Sequence, residues 1–206
     1  QNDYIFSDNW GGDDDLRITI DDTASTAGTL DFSAATQDLI FTIETVDGKT
    51  QVTVTTEVSV LRTGILRIGL SNGSEFLIAE DDTTTTVHRT ETFSRNETVT
   101  YTVIATDVET LIGGAGDNNF VLVGTEAGGT AVSFGTINGG TGNSTLDYSQ
   151  FDTTHATNGV TIDLSSASSA TAITSFSNID NVIGTDKIDT LTGNTSANVL
   201  SGSGGD

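Results

Sequence analysis

The chain contains no cysteine, no methionine and no proline, and only seven basic residues stand against 29 acidic ones. Without cysteine there is no disulfide framework, no thiolate zinc site and no thiol nucleophile. The shortage of bases gives a net charge of −22 and an isoelectric point near 4.1. Such a surface repels phosphates, and no basic stripe offsets it, so nucleic-acid binding is excluded. No apolar run approaches the roughly 18 residues that cross a bilayer, so no membrane span is expected. Helical periodicity is also missing over any useful length. The first residues, QNDYIF, carry no initiator methionine or export leader, and the last, GSGGD, stop inside a glycine-rich motif. The sequence therefore reads as a piece of a longer chain.

What is present is glycine, acid and β-forming residues. The chain has 206 residues, 23 of them glycine, and is 34% hydrophobic, enough for one ordinary core or one elongated stack. A charge of −22 destabilises a compact state by self-repulsion unless cations screen it, and outside a cell that cation is commonly calcium. The balance favours a secreted, extracellular or cell-surface protein. Thr, Val, Ile and Ser recur, and they suit a pleated, half-buried surface, so the chain reads as all-β. Apolar and polar residues alternate in LRITI (16–20), QVTVTTEVSV (51–60), ILRIGL (65–70) and VTYTV (99–103). Asp47-Gly48 and Asn72-Gly73 lie between such runs and tolerate the positive φ of tight hairpins.

Composition divides the chain into three parts. Residues 1–44 are acidic, with DDD at 13–15 and DD at 21–22. Residues 45–105 hold five of the seven bases (Lys49, Arg62, Arg67, Arg89, Arg95) and read as an inserted antiparallel hairpin module. Residues 106–206 hold sixteen of the 23 glycines and a single base, Lys187. The outer parts contain an internal repeat that the middle interrupts. TLDFS at 29–33 returns as TLDYS at 145–149, and VETLIGGAGDNNFV from Val108 is echoed by IDNVIGTDKIDTLT from Ile179. Near the end, Gly184, Gly193 and Gly202 are nine residues apart, as are Leu191 and Leu200. A short strand with one inward aliphatic residue, followed by a glycine turn at fixed interval, is what a coiled β stack needs. The expected fold is a parallel β-solenoid, a β-roll or β-helix, carrying the hairpin module.

These residues resemble the hemolysin-type calcium-binding repeat (RTX) proteins, whose nonapeptide is G-G-x-G-x-D-x-U-x with U a large aliphatic. GGAGDNNFV (113–121) has Asn118 at the sixth position and GGTGNSTLD (139–147) has Ser144. GTDKIDTLT (184–192) keeps aspartate, Asp189, and GNTSANVLS (193–201) has Asn198. TLDFS, TLDYS and NDYIFSDNWGGDDDL also look like segments interleaved with such repeats in very large secreted bacterial proteins. The resemblance covers residues 1–44 and 106–206 and implies Ca²⁺ shared between stacked turns. It would be held by glycine-turn carbonyls such as those of Gly184 and Gly202 and by aspartate charge. Asp189 and Asp206 on stacked turns are the leading candidate ligands. Asn118 with Asp117, Asn198, Asp186 and the DDD at 13–15 follow.

Catalytic patterns are weak. His88 and His155 have no partner spacing, no G-x-S-x-G elbow occurs, and acid pairs such as Asp81-Asp82 arise by chance at this composition. No enzyme activity is expected. Trp10 could be a sugar platform but reads better as packing over an end of the stack. Threonine runs at 52–56 and 83–86 lack the lattice that ice binding requires. Sequons occur at Asn72, Asn96, Asn143 and Asn194. The functional expectation is a calcium-stabilised structural section of a large exported surface protein: an adhesin, a surface-layer protein or a matrix filament. Its expected partners are calcium, copies of itself or other surface components, and polysaccharide. The alternative is an accessory calcium-binding module of a secreted hydrolase, lyase or toxin whose catalytic domain lies elsewhere.

Overall fold

A computed structural model of the chain describes residues 2–8, 10, 16–22, 27–68, 77–78, 89–124, 133–151, 159–168 and 170–204. Among them there are sixteen strands and no helix. They are β1 (Asp3–Ser7), β2 (Leu16–Asp21), β3 (Thr29–Ala34), β4 (Leu39–Val46), β5 (Lys49–Ile68), β6 (Leu77–Ile78), β7 (Arg89–Thr106) and β8 (Thr110–Ile112). Then follow β9 (Asn118–Leu122), β10 (Phe134–Asn138), β11 (Ser144–Asp147), β12 (Thr161–Asp163), β13 (Ile173–Ser177), β14 (Asn181–Ile183), β15 (Thr190–Thr192) and β16 (Val199–Ser201). The all-β character expected from composition is found, and most strand pairs are parallel.

The chain forms two compact units, residues 1–57 with 100–206, and residues 58–99. In the smaller unit Leu66 and Arg67 of β5 face Ile78 and Leu77 of β6 in antiparallel pairing. In the larger unit β4 and β5 form an antiparallel hairpin around Asp47 and Gly48, whose φ values of 51° and 77° are those of a two-residue turn. Asn72-Gly73 lies outside the described residues. The run at 99–103, expected in an antiparallel module, sits in β7 and pairs parallel with β2, Leu16 opposite Tyr101 and Asp21 opposite Thr106. Tyr101, Val103 and Ala105 are buried there, so this part of β7 serves the main core.

The rest of the larger unit alternates between sheets. One sheet has the order β1-β3-β8-β10-β13, the other β16-β14-β11-β9-β4-β5-β7-β2, and β12 pairs with β15. From β8 to β11 each successive strand joins the opposite sheet, and its neighbours within that sheet are parallel. At the end of the chain Asn181 faces Val199 and Val182 faces Leu200, a return of eighteen residues, two nonapeptides. Parallel neighbours cannot be joined by tight hairpins, and between β8 and β11 each connection crosses to the other sheet.

In-register parallel pairing sets like on like. Leu30, Leu111, Ile137 and Phe176 form one buried ladder across β3, β8, β10 and β13. Phe41, Phe120, Leu146, Val182 and Leu200 form the facing one across β4, β9, β11, β14 and β16. Phe41 and Phe120 stack with centroids 4.5 Å apart, and Phe32 meets Phe41 edge-on across the layers at 5.6 Å. Trp10 packs on Phe6, Phe32 and Tyr101, which makes it part of the interior packing.

The internal repeat has a structural meaning. TLDFS and TLDYS each supply a strand followed by a corner in which the aspartate Oδ1 accepts an N–H two residues on, Ser33 to Asp31 and Ser149 to Asp147, both at 2.8 Å. A third copy, TIDLS at 161–165, makes the same bond from Ser165 to Asp163 at 2.9 Å. In all three the second residue (Leu30, Leu146, Ile162) is fully buried and the fourth (Phe32, Tyr148, Leu164) is buried too. Each box pairs in register with a strand that runs into a glycine turn: Asp31 with Ile112, Asp147 with Ile183, Asp163 with Thr192. The first two copies lie in different sheets, so the repeat exchanges the two faces of the stack.

Leu146 is fully buried between Phe120 and Val182, whereas Leu200, the last rung, is 40% exposed. Leu146→Ala is expected to cost about 2–5 kcal/mol and Leu200→Ala under about 1 kcal/mol, read from urea unfolding midpoints. Equal costs would contradict the ladder.

Candidate metal centre at the glycine turns

All four nonapeptides occupy the same place in the fold. Each begins on the residue after a strand and has its sixth residue at or just before the next: Gly113 to Asn118, Gly139 to Ser144, Gly184 to Asp189, Gly193 to Asn198. In three of them the sixth side chain folds back and accepts the N–H of the second residue. Gly114 donates to Asn118 Oδ1 at 3.0 Å, Thr185 to Asp189 Oδ2 at 2.9 Å, and Asn194 to Asn198 Oδ1 at 2.8 Å. Serine is too short for that reach, and Ser144 Oγ donates to the Gly139 carbonyl at 2.6 Å. The clasp explains the glycine at position one. A Cβ at 113, 139, 184 or 193 would strike the sixth side chain of its own turn.

Asn118 shows what the clasp achieves. Its side chain is buried, and Nδ2 donates towards the carbonyls of Gly116 (2.8 Å), Gly139 (2.9 Å) and Gly114 (3.2 Å). Buried carbonyls without partners are costly, and one amide satisfies a set of them. Gly139 belongs to the turn stacked on this one, so the bond also ties two rungs together. The carbonyls of Gly114, Gly116 and Gly139 thus face this amide, and hydrogen bonds close the turn. Asp117 beside it is exposed, and its N–H donates to Asp38 Oδ1 at 2.8 Å.

The turn at Asp189 differs because its sixth residue is anionic. Asp189 Oδ1 accepts from Val160 N–H (2.8 Å) and Thr185 Oγ1 (2.9 Å), and Oδ2 from Thr185 N–H. Three donors hold the carboxylate and leave part of its acceptor capacity unused. Asp186 in the same turn is exposed, with Oδ2 3.4 Å from Lys187 Nζ. The next turn lies alongside, since Gly184 N–H donates to Ser201 O (2.6 Å), Ser203 Oγ to Gly184 O (3.1 Å) and Gly204 N–H to Thr185 O (3.3 Å). Gly202 follows β16 directly. A hard cation at this turn would be held by Asp189, with Asp186 close in sequence. Asn198, across the stack, ties its own turn to Asp180 O at 2.8 Å.

The structure therefore gathers Gly184, Asp186 and Asp189 in one turn, Asp117 and Asn118 in a second, and leaves Asn198 in a third. Asp206, the DDD at 13–15 and both histidines lie outside the described residues. Among the described residues no three acidic or histidine side chains converge as a ligand cluster. Tyr148, in the second box, has its hydroxyl pushed up in pKa by burial and donates to Thr171 O at 2.7 Å, a structural role. The clasp and the third box escaped sequence reasoning, although the spacing of residues two and six and the pattern T-[LI]-D-x-S were both present. Comparison with family models and with curated proteins gave no match to this chain.

Replacing Asn118 by Asp would turn an oxygen without a proton towards the carbonyls of Gly114, Gly116 and Gly139. In chelator, Asn118→Asp is expected to lose about 3 kcal/mol, with part of the loss recovered on adding Ca²⁺, measured by urea unfolding. A variant as stable as the parent in chelator would show that the amide clasp is dispensable.

Proposed function

We propose that this chain is a structural section of a large exported surface protein, a parallel β-solenoid with a hairpin excursion, without catalytic activity of its own. The observation that carries the reading is the alternation of strands between two sheets with parallel in-register neighbours. That arrangement makes the backbone hydrogen bonds and both apolar ladders continuous along the stack. Stability is then approximately a sum of rung and nearest-neighbour terms, which suits an extended load-bearing element. No helix among the described residues is long and apolar enough to cross a membrane.

Calcium has a restricted part in this reading. The turns at Asn118 and Asn198 are closed by amide hydrogen bonds, so the ion acts at the anionic turn of Asp186 and Asp189 and by screening a charge of −22. A ligand that binds the folded stack and not the unfolded chain stabilises it in proportion to the logarithm of its concentration above Kd. Export into a calcium-rich medium would thus favour folding on arrival. The exposed ladder end at Val199 and Leu200, 67% and 40% accessible, suits end-on assembly with another copy.

A calcium titration of the whole chain, followed by circular dichroism and light scattering and reversed with chelator, tests this. The expected result is a thermal midpoint that rises with Ca²⁺ and returns with chelator, with β structure present throughout. Loss of all β structure in chelator, or no response to calcium, would contradict it.

A further inference from the structure

Asp22 follows β2 and is only 2% exposed. Its Oδ1 accepts from Asn2 Nδ2 at 2.6 Å and from the Tyr4 hydroxyl at 3.2 Å, but Oδ2 has no hydrogen-bond partner. That oxygen lies against Gly28, in the space a Cβ would fill. The N–H of the same glycine donates to Glu109 Oε2 at 2.5 Å, and its carbonyl accepts from Glu109 and Thr110. Two carboxylates, 87 residues apart in the chain, thus both lie against one glycine. The ion pairs among the described residues, Lys49 with Asp107 and Lys187 with Asp186, involve neither of them.

A buried carboxylate oxygen without a donor is expensive, by several kcal/mol, and a bound cation removes that cost. Here the surroundings offer oxygen: the Asp22 and Glu109 carboxylates and the Tyr4 hydroxyl. Neither sulfur nor imidazole is among them. That donor set selects a hard cation of flexible coordination over a transition metal.

We propose that Asp22 and Glu109 hold a calcium ion at the corner formed by Gly28. This site is separate from the nonapeptide turns and does not depend on them. It joins β1, through Asn2 and Tyr4, to the end of β2 and to the starts of the paired strands β3 and β8, so the ion locks these neighbouring strands together.

Tyr4 provides a local probe, because a tyrosine next to a bound Tb³⁺ transfers excitation to it. With the whole chain, Tb³⁺ added alone and excited through tyrosine is expected to luminesce, and Ca²⁺ to displace it. Tyr4→Phe is expected to lose most of the emission excited through tyrosine. Asp22→Asn is expected to weaken Tb³⁺ binding at least about tenfold, as removal of a charged ligand does. Glu109→Gln should do the same, and it serves if Asp22→Asn does not fold. Asp186→Asn with Asp189→Asn should leave the emission intact. No emission from the parent, or equal emission from the parent, Tyr4→Phe and Asp22→Asn, would overturn the site. So would an Asp22→Asn variant that is more stable without calcium and responds to it unchanged.

Discussion

Each parallel strand of this fold is followed by a corner, and the polar backbone groups of that corner need partners. In three of the four nonapeptides the sixth residue meets this constraint by returning to the second. Asn118, Asp189 and Asn198 do so with the same bond at 2.8 to 3.0 Å, and the glycine at position one leaves room for it. The second device, the aspartate-to-serine bond of the T-[LI]-D-x-S boxes, closes the neighbouring corners. With both in place, the ladders from Leu30 to Phe176 and from Phe41 to Leu200 can stack without offset.

The choice between asparagine and aspartate at position six then decides which hydrogen bonds a turn can complete. An amide presents both an acceptor and a donor, so it fills a carbonyl-lined corner by itself. A carboxylate satisfies only the N–H groups and leaves the carbonyls and its own charge to be met from outside. Asn118 and Asn198 belong to the first kind and Asp189 to the second. The same reasoning applies at Asp22, where one oxygen is donor-satisfied and the other is not. Under the proposed reading, ion binding falls to the corners that the protein does not complete on its own.

The nine-residue spacing of Gly184, Gly193 and Gly202 could be read directly, because each interval crosses the stack once and Val182 returns opposite Leu200. The hairpin at Asp47-Gly48 could be read for a similar reason, since its chemistry is confined to two residues. Non-local pairing could not. VTYTV alternates as any half-buried strand does, and nothing in it shows that its parallel partner, β2, lies about 85 residues earlier. Asn118 was a candidate ligand when judged by residue type alone, and only the fold shows its amide bonded to Gly114, Gly116 and Gly139. Asp22 was one acid among 29; its neighbours Asn2, Gly28 and Glu109 are brought together by the fold.

The central claim is that β4, β9, β11, β14 and β16 lie side by side in register. Ile40 faces Asn119, Asn119 faces Thr145, Thr145 faces Asn181 and Asn181 faces Val199. The chain has no cysteine, so Ile40→Cys with Val199→Cys gives a unique pair of spin-label sites, both exposed. Four strand spacings place the two Cα atoms about 19 Å apart, and electron–electron double resonance should show one narrow distribution near that value, whereas a broad one or a mean beyond about 30 Å would contradict the stack.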